Sequence, residues 1–288
     1  MSIVDQNAAP AATLSQALDA VSQRLVTARL DATPLDAFPG DVPITLDDAY
    51  AVQSASIARW PDAVAGWKVG MVPAEFRDQL GEDRLCGPIY QRSVFDIGAG
   101  DARSMEIYEG GFAAVEAEFV FRLSETVEPI ATARTDQELL ALVSGLHVGV
   151  EIASSPMADV NRLGPCCVVS DFGNNAGLLV GPEVPGWHSV APEALSVSVS
   201  VDGEVVGSAS AAAIEGGLLQ ALRFLIDRSA RRGLTLPAGT CVSCGAVTGI
   251  HDVTTASSSI VDFGEYGVFD VGFEARQPMQ ENVTSIRG

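Results

Sequence analysis

Positive charge is scarce in this chain. Its 288 residues include 17 lysines and arginines against 37 aspartates and glutamates, which gives a formal net charge of −20. A surface this negative repels phosphate backbones and anionic lipid headgroups, so it disfavours nucleic-acid and membrane partners. If the substrate is itself an anion, a positive group such as a metal ion or a lysine has to attract it.

Long apolar runs are also missing. No stretch approaches the roughly 20 apolar residues that a membrane-spanning helix requires. The first residues, MSIVDQNAAPAATLSQ, have neither the basic segment nor the apolar segment of a secretory signal. These two observations lead us to expect a cytoplasmic protein.

Cysteine is present in an odd number, five residues, and does not form a familiar pattern. Cys241 and Cys244 make one C-x-x-C pair, but no second pair and no H-x-x-x-H follow, so a zinc site is not indicated. We expect buried, reduced thiols. A G-x-S-x-G elbow and a G-x-G-x-x-G after a strand are likewise missing, so a serine hydrolase and a dinucleotide site are unsupported.

Helical and strand patterns divide the chain into two parts. Residues 13–30 and 45–60 have helical spacing of apolar residues, with Thr13 and Gln16 as a predicted capping box and Thr45 as a second predicted cap. From about residue 66, short β-prone runs dominate, and helices are predicted only near residues 136–143 and 216–231. Because strands do not alternate with helices, we expect an α+β fold with a helical N-terminal region (1–62) and a larger β-rich domain (63–288).

Residues 115–123, VEAEFVFRL, carry two acids inside a predicted strand. Alternate side chains of a strand share a face, so Glu116 and Glu118 lie side by side. The opposite face then carries the apolar set Val115, Ala117, Phe119 and Phe121. A solvated edge strand is the simplest interpretation. Val120, however, shares the acidic face and favours burial, where two neighbouring carboxylates need a counter-cation.

Two further residues complete a candidate site. Glu151, in GLHVGVEIASS, offers a third carboxylate within an apolar strand, and three oxygen ligands suit Mg²⁺ or Mn²⁺. A lone glutamate there would be structural more often than not. Lys68, in GWKVGM, stands among apolar residues in a chain with few lysines. It either extends to water from a strand end or holds a substrate carboxylate and transfers protons.

The chain has only three histidines, at positions 147, 188 and 251. His147 shares the strand face of Glu151, which leaves two interpretations open: a neighbour of the metal, or a core or edge histidine, which is the simpler. His188 lies in the turn-like stretch PGWHSV, so we expect it at the surface.

Several ordered segments together resemble one enzyme group. GWKVG, VEAEF, VEI, SDFGNNAGLLVG, DGEVVGSASAAAI and SCGAVTG follow one another as in the 2-keto-4-pentenoate hydratase and 4-oxalocrotonate decarboxylase group of the fumarylacetoacetate hydrolase superfamily. The likeness extends over about residues 44–274. It implies a mixed β-sandwich roll with a small helical N-terminal region, and a site for Mg²⁺ or Mn²⁺.

The resemblance also implies roles for individual residues. It makes Lys68 the catalytic residue, also in contact with substrate. It assigns the metal to Glu116, Glu118 and Glu151. It implies substrate contacts at Asp171, Asn174 and Thr248. The stretch RLCG at residues 84–87 departs from the group, because it has no acid in the place where relatives carry an aspartate.

The implied activity is addition of water to a 2-hydroxy-2,4-dienoate, which gives a 4-hydroxy-2-oxo acid. Decarboxylation of a 4-oxalocrotonate-like diacid is the first alternative. Hydrolysis of a carbon–carbon bond in an acylpyruvate is a second alternative. Hydrolases of the superfamily usually rely on a His-Glu pair in an N-terminal lid. This reaction is disfavoured here, because no histidine precedes His147. A non-catalytic partner subunit is a third. The resemblance further implies a small anionic 2-oxo acid as substrate, self-association into a homo-oligomer, and association with a pathway enzyme.

Overall fold

The computed structural model describes residues 11–279, and it describes their side chains from residue 15 onward. Within this range, no helix is long and apolar enough to cross a membrane. The helices are α1 (Ala11–Leu30), α2 (Leu46–Arg59), α3 (Ala74–Leu80), α4 (Asp136–Ala141), α5 (Pro165–Ser170) and α6 (Leu218–Arg232).

Of the two predicted helix caps, the structure confirms one and contradicts the other. Thr45 caps α2, since its Oγ1 accepts a hydrogen bond from the N–H of Asp48 at 3.1 Å, which confirms the prediction. The capping box predicted at Thr13 is wrong: α1 already includes Ala11, so Thr13 lies inside the helix. The short helices α3 and α5 were not predicted, because two turns leave too little periodicity to detect.

The strands form two sheets. They are β1 (Val64–Met71), β2 (Arg84–Tyr90), β3 (Val94–Asp96), β4 (Ala102–Ile107), β5 (Phe112–Leu123), β6 (Val143–Ser155), β7 (Asn175–Glu183), β8 (Ser196–Val201), β9 (Glu204–Ser210), β10 (Cys241–Ser243), β11 (His251–Asp252), β12 (Ser258–Asp262) and β13 (Val268–Ala275). The larger sheet has the order β2-β1-β10-β5-β6-β7-β3, with β11 also paired to β5, and the smaller has the order β4-β13-β12-β8-β9. Parallel and antiparallel pairs occur in both. The expected α+β class is confirmed.

Strand β5 lies in the middle of the larger sheet, between β10 and β6. The edge-strand interpretation of its acidic face is therefore wrong. Its apolar face packs against the smaller sheet, where the rings of Phe119 and Phe263 meet edge to face at 5.6 Å. Because that face forms the main core, its acidic face turns toward the other side of the sheet.

The N-terminal helices pack on the β-rich body through buried polar contacts as well as apolar ones. In α2, the Tyr50 hydroxyl accepts a hydrogen bond from the N–H of Cys86 at 3.0 Å. Gln53 Nε2 donates to the carbonyls of Cys86 and Val169, both at 2.9 Å. These contacts fix α2 against α5 and against β2, an edge strand of the larger sheet.

Candidate metal centre

Two neighbouring strands bring three glutamates together. In the antiparallel register of β5 and β6, Glu116 lies opposite Glu151 and Glu118 lies opposite Gly149. One carboxylate oxygen from each glutamate lies within 4.8 Å of the other two. All three side chains are buried, with 3% exposure for Glu116 and none for the others. The strand alternation predicted from the sequence thus produces one compact acidic cluster.

Each glutamate of this cluster has one buried oxygen without a hydrogen-bond partner among the described residues, namely Glu116 Oε1, Glu118 Oε1 and Glu151 Oε2. The opposite oxygens of two of them are held. Glu118 Oε2 accepts hydrogen bonds from the Ser243 hydroxyl and from the N–H of Gly245, and Glu151 Oε1 accepts one from Asn175 Nδ2 at 3.0 Å. Buried carboxylate oxygens without donors are costly unless a cation is present. The donor set fits a hard divalent cation.

Lys68, the only lysine in the chain, lies beside this cluster. It projects from β1 and is 5% exposed. Its Nζ is 3.3 Å from Glu151 Oε1 and donates a hydrogen bond to Asn174 Oδ1 at 3.4 Å. The interpretation of Lys68 as a water-exposed strand end is therefore wrong.

Burial and mutual repulsion disturb the protonation of the cluster. Burial raises the pKa of Glu116 to about 7, although Lys68 opposes the shift. Burial and the two neighbouring carboxylates raise the pKa of Glu118 well above its ordinary value. Burial lowers the pKa of Lys68, but the three carboxylates outweigh it and the net shift is upward. When all three carboxylates are ionised, they and the Lys68 ammonium leave two unbalanced negative charges, which one divalent cation would neutralise.

A cavity of about 320 Å³ opens beside Lys68 and Glu116, and Asn161 and Asn174 also line it. Much of the remaining wall is apolar and includes Met71, Pro73, Leu85, Val168, Ile214 and Ile250. Among the lining residues within 11–279, Lys68 is the only one with a cationic side chain. The cavity therefore combines one polar, charged end with apolar walls.

Comparison with known proteins identifies the family. No family model matches the chain. The chain is 31% identical over 223 residues to the 2-keto-4-pentenoate hydratase of Paraburkholderia xenovorans, an alignment that covers 74% of this chain and 77% of that relative. The chain belongs to the 2-keto-4-pentenoate hydratase and 4-oxalocrotonate decarboxylase group. It is also 27% identical over 233 residues to a 4-oxalocrotonate decarboxylase from a Pseudomonas species, covering 79% and 87% of the two chains.

Solved structures show the fold of this group. The 4-oxalocrotonate decarboxylase of Pseudomonas putida G7, complexed with magnesium and adipate, matches with a TM-score of 0.73 and 21% identity, covering 90% of this chain and 98% of that one. A fumarylpyruvate hydrolase from Pseudomonas aeruginosa, in complex with Mn²⁺ and pyruvate, matches with a TM-score of 0.51 and 17% identity, covering 73% and 89%. The expected fumarylacetoacetate hydrolase-like fold is confirmed.

The substrate contacts implied by the group resemblance fall in different places. Asn174 lines the cavity beside Lys68. Asp171 does not reach it, because its carboxylate is 1% exposed and both its oxygens accept hydrogen bonds from Arg29. Thr248 is turned away as well, with its Oγ1 3.0 Å from His251 Nε2, although the next two residues line the cavity. Of Asp171, Asn174 and Thr248, the structure brings only Asn174 to the cavity, where Lys68 already lies.

Among the described residues, no histidine lines the cavity. His147 Nδ1 lies 3.0 Å from the carbonyl oxygen of Gly181, so β7 holds its ring by a backbone contact. His188 is exposed and stacks on Trp187 at 3.7 Å, which confirms its predicted surface position.

Three residues that the sequence did not single out support the cluster: Ser243, Asn175 and Arg29. Ser243 of β10 pairs with Lys68 on one side and with Val120 on the other, so it shares the acidic face. No local signal reveals that register. Asn175 directly follows Asn174, and this adjacency to a predicted site residue is its only signal in the sequence. Arg29, in α1, precedes its partner Asp171 by 142 residues in the sequence.

Proposed function

We propose that this chain is a metal-dependent hydratase, which adds water to a 2-hydroxy-2,4-dienoate and releases a 4-hydroxy-2-oxo acid. The observation that carries the proposal is the acidic cluster: three buried carboxylates with unpartnered oxygens, next to one lysine, at the wall of a cavity. Family membership supports the reaction class, since relatives are named 2-keto-4-pentenoate hydratase.

Glu116, Glu118 and Glu151 would hold Mg²⁺ or Mn²⁺. Their all-oxygen donor set suits these cations, and solved relatives in fold carry magnesium, calcium or Mn²⁺. When bound, a divalent cation supplies Lewis acidity that stabilises the negative charge developing on the C2 oxygen of the substrate.

Lys68 is the residue that we assign to proton transfer. It lies in the cavity wall, so its ammonium can attract the substrate carboxylate and reach the dienoate carbons. As the dienol becomes a ketone, the C2 hydroxyl loses its proton and C5 gains one. The hydroxyl of water then adds at C4 while C3 takes the remaining proton. Lys68 assists the proton transfer by which the dienol becomes a ketone, as a general acid–base group.

The charge of the cavity favours hydration of a monoacid over decarboxylation of a 4-oxalocrotonate-like diacid. A diacid would bring a second carboxylate, and Lys68 is the only cation among the described lining residues. The wall at Leu85 and Ile214 is apolar, so that carboxylate would have the neutral side chains of Asn161 and Asn174 as partners but no second cation, and burying such a charge is costly. Product analysis separates the two reactions, because decarboxylation releases CO₂ and hydration gives the hydroxy-oxo acid.

Replacing Glu118 by Gln tests the proposal. The substitution keeps the size of the side chain but removes one negative charge from the cluster, so we expect loss of measurable Mg²⁺ binding by calorimetry and loss of turnover. Glu125→Gln is the matched control, since Glu125 is exposed and lies just beyond β5. Hydratase activity in chelator-treated Glu118→Gln protein would refute a metal-dependent mechanism.

We further propose that the protein is a cytoplasmic homo-oligomer. All five cysteines are free and buried, which supports a reducing compartment. Strand β9 forms an edge of the smaller sheet and exposes Val205 (69%) and Val206 (44%), and apolar edge strands favour association. Light scattering after size-exclusion chromatography measures the assembly, and a strictly monomeric mass would contradict this part.

A further inference from the structure

The turn between α5 and β7 carries two consecutive asparagines that contact different members of the acidic cluster and its lysine. Asn174 Oδ1 accepts the hydrogen bond from Lys68 at 3.4 Å. Asn175 Nδ2 donates to Glu151 Oε1 at 3.0 Å. The conformation of this turn therefore determines where the ammonium and one of the three carboxylates lie.

The backbone of this turn is in an unfavourable region. Phe172, Gly173 and Asn174 have φ values of 56°, 64° and 54°. A left-handed conformation is easy for glycine but rare for a bulky residue such as phenylalanine. Such a conformation persists only where surrounding contacts hold it in place. The turn thus depends on residues outside it.

Arg29 of α1 holds both ends of the turn. At its start, the guanidinium donates to Asp171 Oδ1 at 2.5 Å, Asp171 Oδ2 at 2.9 Å and the Asp171 carbonyl at 3.0 Å. At its end, Nη1 donates to the carbonyl of Asn175 at 3.0 Å. A further hydrogen bond of 3.1 Å reaches the carbonyl of Ser154 in β6, three residues after Glu151. The same guanidinium lies 5.2 Å from the centre of the Phe172 ring.

We propose that Arg29 is a positioning residue for the metal centre. By fixing residues 171–175, it orients Glu151 through Asn175 and Lys68 through Asn174. Arginine suits this role because its planar, permanently charged fork can reach several acceptors at once. A lysine would retain the charge beside Asp171 but could not hold both ends of the turn. The inference rests on the metal centre of the proposed function.

Calorimetric titration with Mn²⁺, without substrate, tests the role of Arg29. For Arg29→Lys we expect the affinity for Mn²⁺ to fall by about 10- to 100-fold, as is usual when residues that orient metal ligands are lost. Arg228→Lys is the control. Arg228 is also buried, and it pairs with Glu82 at 2.6 Å instead of contacting the turn. Its substitution should leave Mn²⁺ affinity unchanged.

The two asparagines separate the two effects of Arg29. Asn175→Ala should lower the affinity for Mn²⁺, because Glu151 loses its orienting donor. Asn174→Ala should lower kcat at saturating Mn²⁺ with a smaller effect on affinity, because it acts on Lys68. Arg29→Lys should show both changes, which a general loss of stability would not produce in this combination. If Arg29→Lys fails to fold, as judged by circular dichroism, Asp171→Asn weakens the same contact with little change in size and should reduce Mn²⁺ affinity.

A folded Arg29→Lys or Asp171→Asn variant with wild-type affinity for Mn²⁺ would overturn the inference. Since the titration contains no substrate, it is independent of the assigned reaction. A protein that loses Mn²⁺ affinity on Arg29→Lys, but whose wild type forms no hydrated product, would refute the hydratase proposal and leave the positioning role intact. A wild type that binds no Mn²⁺ would refute both.

Discussion

The buried carboxylates of the acidic cluster lower the stability of the metal-free protein. Glu116, Glu118 and Glu151 are buried together, and within residues 11–279 Lys68 is the only cation paired with them. A buried carboxylate resists ionisation, and like charges nearby increase that resistance. Metal binding, by contrast, requires the ionised form. Protons and metal therefore compete for the same oxygens.

This competition predicts how stability depends on pH. Burial raises the pKa of Glu116 from 4.5 to about 7, so the folded metal-free state keeps a proton that the unfolded state releases. Between about pH 5 and pH 8 the free energy of unfolding should then fall as pH rises. Added Mg²⁺ should stabilise the protein more at the upper end, where the carboxylates are ionised.

Thermal unfolding with and without Mg²⁺, at several pH values in this range, measures both effects. Glu116→Gln, which has no proton to lose, should show a flatter pH dependence in the absence of metal. A metal-free melting temperature that rises with pH across the range would contradict the assignment of a raised pKa to Glu116.

Strand β2 packs closely against the turn that carries Asn174. A Cβ added at Gly87 would lie 2.2 Å from the carbonyl oxygen of Phe172 and 2.6 Å from the Cα of Gly173. These are backbone atoms, which cannot move aside as a flexible side chain does. The absence of a side chain at residue 87 is thus a condition for packing β2 against the turn.

Gly87→Ala should therefore destabilise the protein by about 1–3 kcal/mol, the usual range for overpacking a buried site. Gly272→Ala is the matched control, because the nearest atom to its added Cβ, in Ser104 of β4, is 4.0 Å away. Urea denaturation gives the free energy of unfolding for both variants. Equal stability of the two would show that β2 and the turn can separate at little cost.

At the scale of elements, the sequence predicts strands better than it predicts how they pair. The alternation in VEAEFVFRL correctly separates the apolar face of β5 from Glu116 and Glu118. The position of Glu151 opposite Glu116, and of Ser243 beside Lys68, depends on register between strands far apart in the chain. The seven residues of β2, RLCGPIY, contain Gly and Pro and lack alternation, so no local pattern predicts this strand. Register and tertiary contact have no local signature.

The whole molecule carries a net charge of −20, whereas the proposed substrate is an anion. With a divalent cation bound, the site itself would be close to neutral, so the long-range field comes from the surrounding surface and repels the substrate. Salt screens such repulsion between exposed charges, with a Debye length of about 10 Å at 0.1 M.

We therefore expect kcat/KM for a dienoate substrate to increase several-fold as ionic strength rises from about 0.01 M to about 0.15 M. The change should appear in KM, because salt acts on the approach of the substrate more than on the buried residues. Steady-state kinetics at constant Mg²⁺ activity measures this, and a neutral ester of the substrate provides the comparison. A decrease in kcat/KM with added salt would mean that local attraction outweighs the net charge.

Lys68 is the only lysine in the chain and is 5% exposed. Apart from the terminal amino group, reagents that acylate primary amines have a single target in this protein, and it lies in the cavity wall. A general labelling chemistry thus becomes specific for one position without any engineering. Acylation needs the neutral amine, and the raised pKa of Lys68 keeps it protonated in the metal-free protein, so the rate of modification reports on the charge of the surrounding carboxylates as well as on access to the cavity.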